Sequence, residues 1–139
     1  MREAKLLAFT LQKLSAEKNK NIEGQIDVAS DIKIKTIEKH KIDVVKQETI
    51  KIDFDFELKY GEYGKVLIQG FLILLLNNRD LKEIMSKWEN NKEIQSDFRI
   101  LVLNLIMQKC SIKALQLEEQ MSLPPHIQIP RLVFEKDNQ

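Results

Sequence analysis

In the stretch "TIKIDFDFELKYG", Ile50, Ile52, Phe54, Phe56, Leu58 and Tyr60 alternate strictly with Lys51, Asp53, Asp55, Glu57 and Lys59. Period two sends successive side chains to opposite faces, so this is a strand with one buried and one wet face. A helix would scatter the same residues around its axis. Downstream, "GKVLIQGFLILLLN" is apolar in both phases. Val66, Ile68, Leu72, Leu74 and Leu76 share one face, and Leu67, Phe71, Ile73 and Leu75 the other. Such a strand is expected to be covered on both sides. Gly61 and Gly64 in "YGEYGK" supply the tight turn between the two strands.

Upstream, "QIDVASDIKIKTI" repeats the alternation, with Ile26, Val28, Ile32 and Ile34 on one side. "LLAFTLQKLS" is a weaker strand with Phe9 and Leu11 inward, and "HKIDV" marks a further hairpin connection. Four antiparallel strands are therefore expected over about residues 6–77.

Helical periodicity follows. Asn78 and Asp80 can cap a short helix over 79–90, where Leu81, Ile84, Met85 and Trp88 fall at i, i+3, i+4, i+7. A long helix is expected over 91–122 with two apolar stripes. Ile94, Phe98, Leu101, Val102, Leu105 and Ile112 form one; Ile100, Leu103, Met107, Cys110, Ala114, Leu117 and Met121 form the other. Two stripes require two packing surfaces. About 30 helical residues span roughly 45 Å, and a sheet covers only one stripe. The second stripe is expected to meet another copy of the chain. Pro124 and Pro125 stop the helix, and an extended apolar tail, "SLPPHIQIPRLVF", follows over 123–134. The class is α+β: a four-stranded antiparallel sheet, a short helix and one long helix packed on one face. All of it forms a single domain over residues 1–139.

The 139 residues are 43% hydrophobic and 31% charged, with a formal net charge of +1. This balance argues against nucleic acid and anionic membranes, which favour a basic excess. The run "VLIQGFLILLL" is shorter than the roughly 20 residues that cross a bilayer. Membrane insertion is not expected. Cys110 is the single cysteine, so no internal disulfide can form. With no secretory signal pattern in "MREAKLLAFT", a reducing cytoplasm is expected.

Chemistry-bearing motifs are scarce. His40, His126 and Cys110 are too few and too scattered for a zinc site. The sequence carries no glycine-rich phosphate loop and no nucleophile elbow. No catalytic residue, metal or cofactor is expected, and both histidines read as structural or solvent-facing. Asp53, Asp55 and Glu57 form either a solvated outer face or an acidic strip for a basic partner. What stands out is surplus apolar surface, which closes an oligomer or lines a groove for extended chains.

The order of elements resembles the SecB export-chaperone family. The resemblance rests on "FTLQKLSAEKN", "IDFDFELKYG" with "KVLIQGFLIL", and "LEEQMSLPPHIQIPRLVF", spanning residues 6–134. The chain would be a compact variant without the family's second C-terminal helix. It would be a cytosolic ATP-independent holdase for non-native or precursor polypeptides, assembled as a dimer of dimers, a homotetramer active in protein export. By that resemblance the client groove is walled by the sheet, the short helix and the tail. Client contacts are expected from Met85, Trp88, Leu123, Ile127, Ile129, Leu132 and Phe134. The oligomer interface is expected from Ile100, Leu103, Met107, Cys110, Ala114 and Leu117. A translocase component or an antitoxin would be the further partner, and Asp53, Asp55 and Glu57 are the candidate docking strip for a partner. Three alternatives stay open: an antitoxin-guarding chaperone, a purely structural subunit, and a hot-dog thioesterase.

Overall fold

A computed structural model describes residues 4–41, 48–130 and 132. Four strands, β1 (Ala4–Lys18), β2 (Ala29–His40), β3 (Thr49–Lys59) and β4 (Gly64–Leu76), precede α1 (Asn78–Asn91) and α2 (Ser96–Met121). They form one antiparallel sheet in the order β1-β4-β3-β2. The most apolar strand, β4, therefore lies inside the sheet, and β1 and β2 are the edges. The expected α+β class is what the chain adopts. The expected "HKIDV" connection falls largely at 42–47, outside the described residues.

Register fixes which residues share a face. Ile50, Ile52, Phe56 and Leu58 pair with Leu74, Leu72, Ile68 and Val66, and all eight are fully buried. This face carries α2, whose Glu118 reaches the Tyr60 hydroxyl just beyond β3. Gly70 lies opposite Phe54 and Leu11. A Cβ there would come 2.2 Å from the Thr10 carbonyl oxygen. Its bare backbone lets β1 approach, and the Phe9 and Phe54 rings meet across β4 with centroids 5.2 Å apart. In the β3–β4 turn, Gly61 takes φ +57°, a conformation that a side chain disfavours.

Helices cover only one face of β4, where two had been expected. On the other face Ile73 is buried and Leu67, Phe71 and Leu75 are half-buried. Flanking strands shield them: Lys51 lays its ammonium 4.5 Å from the centre of the Phe71 ring.

The helix ends differ from their expected places. Asn77 caps α1, accepting from the Asp80 N–H at 2.8 Å while its own amide donates to the Asp80 carboxylate. Lys92, in the left-handed region at φ 56°, ends α1, so α2 starts at Ser96 and not at 91.

The inner row of α2 repeats strictly every four residues: Phe98, Val102, Ile106, Cys110, Ala114 and Glu118 are all buried. A four-residue row is inclined to the helix axis. The two stripes expected from mixed spacing are therefore cut differently. Cys110 and Ala114 face the sheet, whereas Ile112, expected on the sheet side, is 63% exposed.

Candidate functional site

The site grows out of the end of α2. Ser122 adopts φ 53°, its N–H donates to the Glu119 carbonyl, and the Leu123 N–H donates to the Glu118 carbonyl at 2.9 Å. This pair of bonds is a Schellman closure, which turns the chain back and drives Leu123 into the core. Pro124 and Pro125 then prevent helix from restarting. The next residue, His126, enters the protein interior, with its side chain 3% exposed.

His126 joins a buried polar cluster. Its Nδ1 is 3.0 Å from Glu118 Oε1 and its Nε2 is 3.0 Å from Ser111 Oγ. The Tyr60 hydroxyl donates to Glu118 Oε2 at 2.5 Å. The imidazole also stands edge-on to the Phe56 ring at 6.1 Å. Burial, reinforced by the bond to Glu118, pushes the Tyr60 hydroxyl well above the usual phenol range. Burial alone pushes the Cys110 thiol up to about 12.

Ser111, His126 and Glu118 have the connectivity of a nucleophilic triad. The serine, however, is on the inward side of α2, only 8% exposed, and its hydroxyl also lies 3.4 Å from the Met107 sulfur. The cluster acts as a clamp that pins the chain after α2 back onto α2, with the imidazole against Phe56 of the sheet.

Past the clamp the chain becomes a strap. Ile127 and Ile129 are 42% and 55% exposed. Together with Pro125, Pro130 and the chain between, they form one wall of an open groove of about 960 Å³; Ile26, Asp27 and Val28 form the other. A second open groove, of about 470 Å³, lies where β2 meets Trp88, Ile94 and the start of α2. Residues 26–28 of the first groove lead along the chain into residues 31–35 of the second.

The expected client residues are thus divided. Trp88 is half-buried in the β2 groove, Ile127 and Ile129 stand in the strap groove, and Leu132 is fully exposed. Met85 and Leu123, each 6% exposed, belong to the core and offer no surface to a partner. Helical spacing put Met85 beside Trp88 but could not say which of them points inward. Phe134 lies outside the described residues.

Of the expected interface residues, Cys110 and Ala114 are wholly buried under α2 and cannot meet a second subunit. Ile100 is 59% exposed, and Leu103, Met107 and Leu117 are half-buried. Asp53, Asp55 and Glu57 lie half-buried on the outer sheet face with neighbours of their own. Asp53 accepts from Thr36, Asp55 from Gln69 at 2.8 Å, and Lys59 stands 3.8 Å from Glu57.

Sequence reasoning missed Glu118 and Ser111, neither of which falls on the two apolar stripes expected for the long helix. A signal existed: Glu118 falls on the four-residue row of Cys110 and Ala114, and Ser111 lies two turns before it beside that row. A carboxylate in a buried row requires a partner, and the residue after the prolines supplies it. Among the described residues no cluster of His, Cys, Asp or Glu could hold a metal ion. By length and hydropathy alone α2 could cross a bilayer, but its inner row is packed on the sheet.

No known family model matches this chain, and no curated protein matches it. Among solved structures, a Mycobacterium tuberculosis protein, the Rv1957 SecB-like chaperone, is similar over 96% of this chain and 92% of its own. The TM-score is 0.51 and the sequence identity 11%. That protein was solved in complex with a ChAD peptide from the Rv1956 HigA1 antitoxin. At this identity the likeness establishes a shared fold: the chain has the SecB-like architecture.

Proposed function

We propose that the chain is a SecB-like holdase that binds extended or non-native polypeptide segments without nucleotide chemistry. The observation that carries this reading is the clamped strap. Buried polar bonds hold the chain at His126, so that Ile127 and Ile129 remain exposed opposite Ile26 and Val28. A segment fixed with its apolar side chains toward an open groove suits a sequence-tolerant apolar ligand. The shared fold with a chaperone that holds a peptide supports the same reading.

The test is dilution of a chemically denatured model protein into buffer. At molar excess this chain suppresses light scattering. The Ile127→Ser/Ile129→Ser double variant retains the fold and loses most of the suppression. Absence of suppression by the unaltered chain refutes the proposal.

The neighbour's peptide favours a second, narrower reading, in which the client is a segment of an antitoxin. Co-purification from the source cell decides between one dominant small partner and a mixture of precursors. Self-association belongs to the same proposal. The outward row of α2 sets two amides, Asn104 and Gln108, between Ile100 and Ile112, all exposed and flanked by half-buried Leu103 and Met107. A second copy covers this row.

A further inference from the structure

Strand β2 is an edge of the sheet, so among the described residues alternate N–H and C=O groups along it have no partner strand. Its pairing with β3 shifts register between Ile34 and Thr36. The bulge bends the edge there, leaving Asp31–Ile34 as the regular stretch beside the second groove. Ile32 and Ile34 share the helix-bearing face, since they pair with the buried Phe56 and Phe54. Trp88, Ile94 and Leu103 continue this apolar floor.

The rim is charged with one sign in excess. Lys33, Lys35, Lys92 and Arg99 line the groove against a single carboxylate, Asp31. Lys35 is shared with Asp55 on the outer face at 3.6 Å. Lys92 stands over the Trp88 ring, 5.0 Å from its centre. Arg99 is exposed on the first turn of α2. The chain as a whole carries only +1, so this local excess is not a reflection of its composition.

We infer that the β2 edge groove binds an extended acidic peptide segment. Its backbone adds to Asp31–Ile34, an apolar side chain rests on Trp88 and Leu103, and its carboxylates meet Lys92 and Arg99. This deepens the holdase reading, on which it rests, by giving the bound segment a charge and a place. A basic segment meets the like charges of Lys92 and Arg99 at the same rim and is disfavoured, while Lys33 and Lys35 lean toward Asp55 on the outer face.

Trp88 is the single tryptophan, so its emission reports this groove alone. The probes are two synthetic peptides of equal length, one alternating glutamate with leucine and the other lysine with leucine. The acidic peptide shifts Trp88 emission at a concentration about tenfold lower than the basic one, and the advantage shrinks between about 50 and about 500 mM salt. The exposed double variant K92E/R99E reverses the preference while leaving the circular dichroism spectrum unchanged. N-methylation of alternate peptide nitrogens weakens binding in one phase only, as strand addition requires.

Equal response to both peptides, or an acidic peptide that leaves Trp88 emission unchanged, overturns the inference. Aggregation suppression without charge preference at Trp88 sinks this inference and spares the holdase reading. Charge-selective binding at Trp88 without suppression supports this site and sinks the holdase reading.

Discussion

Replacing His126 with Ala tests the clamp directly. The substitution removes the contact between Nδ1 and Glu118, the contact between Nε2 and Ser111, and the edge-on contact with Phe56. A hydrogen bond to a buried carboxylate is worth about 2 kcal/mol and a neutral one about 1 kcal/mol. An aromatic edge contact adds about 1 kcal/mol. The sum is about 4 kcal/mol, large against the roughly 5–15 kcal/mol that holds a domain of this size together. Urea unfolding followed by circular dichroism measures the loss.

The structure also localises the damage. Glu118 keeps the Tyr60 hydroxyl, and Leu123 keeps its backbone bond to Glu118. The helix therefore survives while the strap from 124 onward comes free. Limited proteolysis accelerates at 124–130, and amide exchange rises there before it rises in β3. His126→Phe restores the ring contact and not the polar bonds, so it recovers about 1 kcal/mol. A His126→Ala variant that unfolds within about 0.5 kcal/mol of the parent, with its strap equally protected, refutes the clamp.

Other perturbations give distinct readouts. Gly70→Ala drives a methyl into the Thr10 carbonyl and costs about 2–3 kcal/mol, read as a lower urea midpoint. Ile100→Lys with Ile112→Lys lowers the native mass seen by light scattering without changing helical content; an unchanged mass removes the outward row of α2 from self-association. Stability should also decline in alkali. Cys110 and Tyr60 both titrate higher in the folded chain than in the unfolded one, so the unfolded state loses protons first. The contribution is whole below about pH 9, then falls by about 1.4 kcal/mol per pH unit for each group as pH climbs from about 9 for the thiol and 10 for the phenol. Cys110→Ala flattens the part of this decline that begins near pH 9, and an identical decline in that variant refutes the assignment.

The sheet was legible because its signal is local. Strict alternation through Ile50–Tyr60 leaves one way to bury every second residue, whereas the doubly apolar "VLIQGFLILLL" pointed to cover on both faces and carries helices on one. The "YGEYGK" turn was equally readable, since Gly61 adopts the left-handed conformation that such turns require. The long helix was visible, but its rotation was not. Apolar residues surround its middle, and only the tilt at which its four-residue row crosses the sheet assigns Cys110 and Ala114 inward and Ile112 outward.

The tail shows the same division. Two prolines after an apolar helix announce a turn and an extended course, and the apolar residues beyond them announce a surface to lie on. The strands, the order of elements and the break after α2 could be read in advance, because each depends on residues a few positions apart. Long-range packing makes Leu123 and His126 anchors while Ile127 and Ile129 stay open. That choice depends on Tyr60, Ser111 and Glu118, which come from distant parts of the chain. A carboxylate buried among them is stable only where an imidazole and a hydroxyl converge on it.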